Sequence, residues 1–153
     1  MAAPAIIVRL QRKSFDPGTE SNAFLSDAKA AGAAVTFTGL VRSTPQNPIV
    51  SMTLEHYPAL AQSQLEKISG QALKRFSLIK VTTIHRHGTL TPGEPIVQVM
   101  TLAQHRKNAF EGAEFLMDYL KTSAPFWKKE LGATGENWVE AKSVDDSALK
   151  RWE

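Results

Sequence analysis

The sequence predicts an α+β fold: a single domain over residues 1–153, with a mixed β-sheet and flanking helices. The chain has 153 residues, a length that suits one domain with a substantial core. Short segments with alternating apolar residues are interleaved with longer segments of helical periodicity. The resulting order, β-α-β-β-α-β-β-α-β(β), mixes hairpins with helical crossovers, and we find no repeat or linker that divides it.

The predicted strands share alternation or enrichment in β-branched residues, and they span 6–11, 33–41, 50–56, 79–87 and 96–102. The predicted helices share an apolar stripe, and they span 16–30, 58–76 and a segment that begins between 104 and 108 and ends at 121. Asp16 and Pro17 suit a helix start, and Asn108 with Glu111 resembles a capping box. A turn over 88–95 and a hairpin over 131–141 follow from Gly and Pro placement. The end, 143–153, is either a short helix or a tail.

The charge and the cysteine content limit the function. The net charge is +3 and the sequence pI is about 9.3, which favours anionic ligands. Opposite charges alternate along the chain instead of forming a basic run, so nucleic-acid binding is not predicted. The chain contains no cysteine, which excludes disulfides, thiolate metal sites and a cysteine nucleophile. If this protein handles sulfur, the sulfur must arrive on another molecule.

The terminus and the motif inventory add further expectations. The first ten residues lack a basic start and predict a strand, not a signal peptide. No stretch is long and apolar enough to span a bilayer, so we expect a cytoplasmic protein without a membrane partner. The motifs of serine hydrolases, P-loop NTPases and Rossmann dehydrogenases do not occur.

The segment from Met117 to Glu130 combines lysines with a Pro-aromatic turn. Pro125 forces the chain off the helical path. The segments before and after it can therefore fold back on each other so that Lys121 and Lys128 face one cavity. Lysines beside an apolar wall and beside each other are suited to acid/base or covalent chemistry. The alternative is a helix end with solvated lysines that complement its dipole.

Three more basic residues stand where anions commonly bind. Arg42 follows a strand, and His105 and Arg106 lie between a strand and a helix start. Guanidinium groups suit phosphate or carboxylate, and histidine can donate to phosphate or carry a proton. The alternatives are that Arg42 solvates a loop and that His105 is bonded to the backbone. Lys107 is expected to pair with Glu111 on the helix surface.

Three histidines raise the question of a metal site. His85 and His87 are two residues apart on one predicted strand, and His56 lies on another. Two histidines on one strand face can bind zinc, but no third ligand with motif spacing is evident. We therefore predict neither a metal nor a cofactor.

Several motifs together resemble one family. They are V-T-F-T-G-L-V-R (35–42), L-E-H-Y-P (54–58), I-H-R-H-G (84–88), H-R (105–106), F-E-G-A-E-F-L-M-D-Y-L-K-T-S-A-P-F-W-K-K-E (110–130) and W-V-E-A (138–141). They resemble the large, catalytic subunit of molybdopterin synthase. The resemblance implies an α/β hammerhead-like fold with an added hairpin, and a homodimer that binds two small ubiquitin-like subunits. It also implies a sulfurtransferase of molybdenum cofactor biosynthesis. The thiocarboxylate on the small subunit's Gly-Gly tail would supply sulfur to cyclic pyranopterin monophosphate, forming the dithiolene of molybdopterin.

The resemblance also implies a site. The substrate-binding positions carried over from the family are Leu40, Val41, Arg42, His105, Arg106, Lys121, Lys128, Lys129 and Glu130. Lys121 and Lys128 are the expected catalytic residues, with Lys121 acting either as an acid or through a covalent adduct. Some relatives have Lys where this chain has Leu40, so only a backbone contact would survive there. The alternative function is a non-catalytic module that binds a ubiquitin-like tail or an anion.

Overall fold

A computed structural model describes residues 4–122, 126–132, 135–139 and 143–153, with the backbone alone described for 143–146. Within these ranges the strands are β1 (Ile6–Gln11), β2 (Ala33–Leu40), β3 (Ile49–His56), β4 (Leu78–Arg86), β5 (Gly88–Leu90), β6 (Pro95–Ala103), β7 (Phe126–Gly132) and β8 (Gly135–Val139). The helices are α1 (Pro17–Leu25), α2 (Pro58–Arg75), α3 (Arg106–Thr122) and α4 (Ser143–Lys150). The end of the chain is therefore a short helix, the first of the two alternatives.

Two four-stranded sheets form the framework. The first has the order β1-β4-β6-β2, with β1 parallel to β4 and the other pairs antiparallel. The second has the order β5-β3-β7-β8 and is antiparallel throughout. The predicted α+β class is confirmed. The predicted hairpin is β7 and β8, but it begins at Phe126 because β7 pairs along most of β3, and that pairing extends the strand.

One hydrophobic core joins both sheets to α2 and α3. Leu54 of the second sheet is 1% exposed and packs in the same cluster as Val81 and Val99 of the first. Leu65 of α2 and Leu116 of α3 complete this cluster from the helical side. Because both helices bury a stripe against the sheets, their ends are held in fixed positions relative to the strands. No helix in the described ranges has the length and apolar character needed to cross a membrane.

The helix starts and ends show where local signals were sufficient. Asp16 caps α1 as predicted, accepting a hydrogen bond from the Thr19 N–H at 3.1 Å. The prediction that α1 continues to residue 30 was wrong. The helix ends at Leu25, and Asp27 takes a positive φ of 57°. Ser26, the residue after the helix, has an extended backbone with a ψ of 135°, which ends the helical hydrogen bonding.

Tertiary contacts changed two other local predictions. α3 begins at Arg106, and the Asn108 amide donates to the Phe76 carbonyl at 2.8 Å instead of capping its own helix. The predicted turn over 88–95 contains β5, because Gly88 and Leu90 pair with β3. In both cases a partner distant in sequence supplies the hydrogen bonds that the local pattern assigned elsewhere.

Candidate active site

β7 presents alternate residues to opposite faces of the second sheet. In the register, Lys128 lies opposite Leu54 and Glu130 lies opposite Met52. Residues directly opposed in an antiparallel pair share a face. Leu54 and Met52 are both buried. The face that carries Lys128 and Glu130 is therefore the one that packs toward the core.

Lys129 projects from the other face of β7. It lies opposite Trp138 in β8, and its Nζ is 5.2 Å from the centroid of that ring. The same ammonium is 3.2 Å from a carboxylate oxygen of Glu136. The structure thus places Lys129 in an ion pair on the side of the sheet away from Lys128.

A buried histidine marks the place where the two predicted catalytic lysines meet. His85 is 6% exposed, and burial is the main cause that lowers its pKa to about 4. The positive charges of Lys128 and Lys121 lower this pKa further, which places both lysines in the vicinity of one ring. The Pro125 turn between them lies outside the described residues. Both lysines therefore lie close enough to His85 to act on its charge, and the prediction that they face one cavity stays a prediction.

The start of β7 is held in a column of rings. Phe126 stacks on His85 with ring centroids 4.0 Å apart and on His56 with ring centroids 5.6 Å apart. His87 follows at 4.4 Å from His56. Lys128 is two residues beyond Phe126 on the same face of the strand, so the stack fixes the position from which this lysine projects.

Hydrogen bonding determines the form of His85. Its Nδ1 lies 2.8 Å from the carbonyl oxygen of Arg86. A carbonyl only accepts, so Nδ1 carries the proton, and Nε2 of the neutral ring keeps its lone pair. The ring beside the lysines is thus uncharged at neutral pH and does not add a third positive charge to theirs.

The end of β2 supplies the predicted triplet. Val41 is 3% exposed, and its backbone is fixed by two bonds: its N–H donates to the Glu94 carbonyl at 3.0 Å, and its carbonyl accepts from the Gly93 N–H at 2.8 Å. Leu40 is 55% exposed and Arg42 is exposed as well. The buried residue between them anchors the strand end from which Arg42 extends.

The direction of α3 decides which predicted residues lie near each other. Its first turn packs beside the end of β6, where the Thr101 hydroxyl donates to the Ala109 carbonyl at 2.7 Å. Its last turn carries Lys121, whose positive charge lowers the pKa of His85 near the end of β4. The ends of β4 and β2 both lie beside the start of β6. Arg42 therefore lies at the same end of the sheet as Lys121.

His105 and Arg106 lie at the other end of α3. Fifteen residues of helix separate Arg106 from Lys121, which at 1.5 Å per residue is about 22 Å. Both residues are exposed. Within one chain the predicted substrate residues thus form two groups, and the structure does not bring them together. The predicted pair of Lys107 with Glu111 is present at 3.9 Å.

From the sequence, His56, His85 and His87 were considered only as possible metal ligands. Among the described residues, no three His, Asp or Glu side chains are grouped so that they could hold a metal. His85 and His56 each stack on the Phe126 ring, and His87 follows the end of β4. The spacing showed that His85 and His87 could share a strand face, but the stacking depends on pairing between β3 and β7.

Comparison with known proteins identifies the family of this chain. The family model described as MoaE protein matches residues 10–123. The chain belongs to the MoaE family. The molybdopterin synthase catalytic subunit of Cereibacter sphaeroides is 50% identical over 145 residues, covering 95% of this chain and 99% of that relative. The protein of the same name from Escherichia coli K12 is 46% identical over 153 residues, covering 99% of this chain and all of that relative.

Solved structures of the MoaE family share the fold. The molybdopterin biosynthesis MoaE protein from Burkholderia ambifaria superimposes with a TM-score of 0.81 at 46% identity, covering 96% of this chain and 97% of the other. A molybdopterin synthase from Staphylococcus aureus gives a TM-score of 0.77 at 24% identity, with coverages of 91% and 99%, and this likeness concerns the fold alone. The resemblance predicted from the motifs is confirmed.

Proposed function

We propose that this MoaE-family chain is the catalytic subunit of a molybdopterin synthase. It transfers sulfur from the C-terminal thiocarboxylate of a small ubiquitin-like partner to cyclic pyranopterin monophosphate, forming the dithiolene of molybdopterin. Relatives named as this subunit match nearly the whole chain, which supports the assignment. The single observation on the molecule that carries it is the approach of Lys121 and Lys128, from different elements, to one buried ring.

The chemistry of the chain fits a reaction in which sulfur is delivered by the partner. The chain contains no cysteine, so its own residues provide positive charge and position but no sulfur. The partner's thiocarboxylate and the phosphate-bearing substrate are both anions, and the predicted site is rich in cations. The proposal keeps the cytoplasmic location expected from the sequence.

The lysines have separate roles in this proposal. Lys128 neutralises the thiocarboxylate and the oxyanion that develops when its carbonyl becomes tetrahedral. Lys121 acts on the acceptor carbon of the pterin, either by protonating its oxygen or by a transient covalent adduct. Arg42, at the same end of the sheet, binds an anionic part of the substrate. Val41 and Leu40 contribute through the fixed backbone of the strand end.

Because His105 and Arg106 lie far from Lys121 along α3, they can reach a lysine site only if it belongs to a second copy of the chain. His105 and Arg106 are about 22 Å from Lys121 in one chain, too far to contact the same small substrate. In the homodimer expected for the family, His105 and Arg106 of one copy complete the lysine site of the other. They hold the phosphate and pterin, while Lys121 and Lys128 act on the reacting atoms.

The central test is single-residue replacement of the lysines. Lys121→Ala and Lys128→Ala should each lower the rate of dithiolene formation by about a hundredfold or more, because each removes charge stabilisation at the reacting atoms. The assay combines the full chain with a thiocarboxylated small subunit and the pterin precursor, and it measures product under single-turnover conditions. Affinity for the small subunit is measured in parallel by calorimetry.

Lys107→Ala is the matched control, since Lys107 is 85% exposed and pairs only with Glu111 among the described residues. It should leave turnover within twofold. If Lys121→Ala turned over like the unaltered protein, the catalytic assignment would be wrong. If the unaltered chain bound the thiocarboxylated tail but formed no product, the chain would be a binding module instead.

A further inference from the structure

A cleft lies beside the ring column, outside the predicted substrate residues. It has a volume of about 370 Å³ and opens where the segment after β1 meets the ends of β3 and β4 and the start of β5. Its lining is Arg12, Thr53, Leu54, Glu55, His56, Pro58, His87, Gly88 and Thr89. Not one of these residues belongs to the substrate set carried over from the family, so the cleft is a feature that the proposed function leaves unexplained.

Three groups that can carry positive charge converge on this cleft from different segments. The rings of His56 and His87 are 4.4 Å apart. Arg12 lies across Gly88, where an added Cβ would come within 2.9 Å of its guanidinium. Within the described part of the chain, the Arg12 guanidinium makes no ion pair. Glu55 is the carboxylate among the lining residues.

The two histidines are surrounded by charges of both signs. Burial is the main cause that lowers the pKa of His56 and of His87, and the positive charge of Arg12 lowers both further. The charges of His56 and Arg86 also lower the pKa of His87, while the charge of Glu55 raises the pKa of both rings. At His56 the charge of Glu55 outweighs that of Arg12, whereas at His87 the charges of His56 and Arg12 outweigh that of Glu55. An anion bound between Arg12 and the two rings would favour the protonated form of both.

We propose that the cleft formed by Arg12, His56 and His87 binds a tetrahedral dianion of the phosphate type. Three donors from three chain segments can share the several oxygens of one tetrahedral anion, whereas a carboxylate offers two. The hydroxyls of Thr53 and Thr89 are hydrogen-bonded to each other at 3.0 Å, which leaves one of their two protons to donate to a ligand. This site goes beyond the proposed sulfur transfer and does not depend on it.

Nuclear magnetic resonance of the full chain tests the proposal without any substrate. The chain has four histidines, of which His56 and His87 line the cleft, and sodium chloride at equal ionic strength is the reference for screening. Sulfate is the first probe because it stays doubly charged between about pH 5 and pH 8, so that only the protein titrates in this range. Sulfate should raise the pKa of His56 and His87 relative to sodium chloride at the same ionic strength. It should also bind more tightly as the pH falls.

Inorganic phosphate and acetate then separate a dianion site from a general carboxylate site. We expect phosphate near neutral pH to shift the same two rings as sulfate, and acetate at equal ionic strength to shift them at least fivefold less. Equal shifts with acetate would overturn the choice of a tetrahedral dianion. An equal effect of sodium chloride at the same ionic strength would show ionic screening only and would overturn the site.

Substitutions identify the donors. Arg12→Gln and His87→Gln should each weaken sulfate binding about tenfold, because each removes a charge-assisted donor. Glu55→Gln should tighten it by a few fold, since it removes the opposing carboxylate. Lys107→Gln matches the charge change of Arg12→Gln at a distant exposed position and should leave the affinity unchanged. Unaltered sulfate affinity in Arg12→Gln would contradict the proposal, and circular dichroism verifies that each variant is folded.

Discussion

At the scale of single residues, two adjacent lysines illustrate how a strand divides chemical roles. Lys128 and Lys129 are neighbours in sequence, yet strand alternation sends them to opposite faces of the second sheet. Lys129 forms an ion pair with Glu136 and lies over the ring of Trp138. The positive charge of Lys128, by contrast, lowers the pKa of His85. The family pattern assigned both lysines to substrate, and the geometry gives them different surroundings.

This difference predicts unequal effects of the same substitution. Lys129→Ala should reduce the rate of dithiolene formation by less than about threefold, because an exposed ion pair contributes little energy and the lysine faces away from the reaction. Lys128→Ala should reduce it by about a hundredfold or more. The two variants are compared in the single-turnover assay. Equal losses in both would show that Lys129 also reaches the substrate.

A second residue-scale prediction concerns acid stability. Burial lowers the pKa of His85 to about 4 in the folded chain, against about 6.5 when unfolded. Below about pH 6.5 the unfolded chain takes up a proton that the folded chain excludes, so stability is lost as the pH falls from about 6.5 toward about 4. The loss from this one ring should be about 2 kcal/mol at pH 5, relative to pH 8.

Denaturant unfolding at both pH values measures this loss, and His85→Asn is the comparison. Asparagine keeps a donor for the Arg86 carbonyl but does not titrate, so the variant should be less stable at pH 8 and less sensitive to acid. His56 and His87 remain in both proteins and cancel in the comparison. The same acid sensitivity in the variant would show that His85 is not the group responsible.

At the scale of elements, the end of the chain braces the helix that carries Lys121. Trp152, just after α4, donates from its indole nitrogen to Asp118 of α3 at 2.6 Å. Its ring meets those of Phe76 and Phe115 edge-on, each at 5.5 Å. Asp118 is one turn before Lys121, so this contact holds the last turn of α3 in place.

Replacements at Trp152 separate the ring from its hydrogen bond. Trp152→Phe keeps an aromatic ring and loses the bond to a carboxylate, which should cost about 1–2 kcal/mol in the free energy of unfolding. Trp152→Ala also removes the ring and should cost about 3 kcal/mol. Arg151→Gln removes the ion pairs with Glu114 and Asp118 and the contact of the guanidinium with the Trp152 ring at 4.6 Å, and it should cost less than either replacement of Trp152. Denaturant unfolding ranks the three, and equal costs for all of them would contradict a specific role of Trp152.

At the scale of the whole molecule, the separation along α3 predicts complementation between copies. Lys121→Ala and Arg106→Ala should each be nearly inactive alone. After subunit exchange in equal amounts, half of the dimers contain one copy of each variant, and one of their two sites is intact. About a quarter of the normal activity should then return. No recovery in an exchanged mixture, with exchange verified by mass spectrometry, would show that all site residues act within one chain.

The sequence alone was sufficient for several conclusions about this protein. The periodicity of α2, the cap at Asp16 and the alternation of the strands predicted the α+β class, because these signals depend on nearby residues. The motifs predicted the family, and the lack of cysteine excluded sulfur chemistry on the chain itself.

Only the tertiary structure decided which of the predicted residues meet. Strand pairing placed Lys128 and Phe126 on the face of β7 that packs against His85, and it sent Lys129 to the other face. The rise of α3 separated His105 from Lys121 by the length of a helix. Local patterns determine how a segment folds, but contacts between distant segments depend on register and helix length, which become visible only when the sheets and the core are assembled.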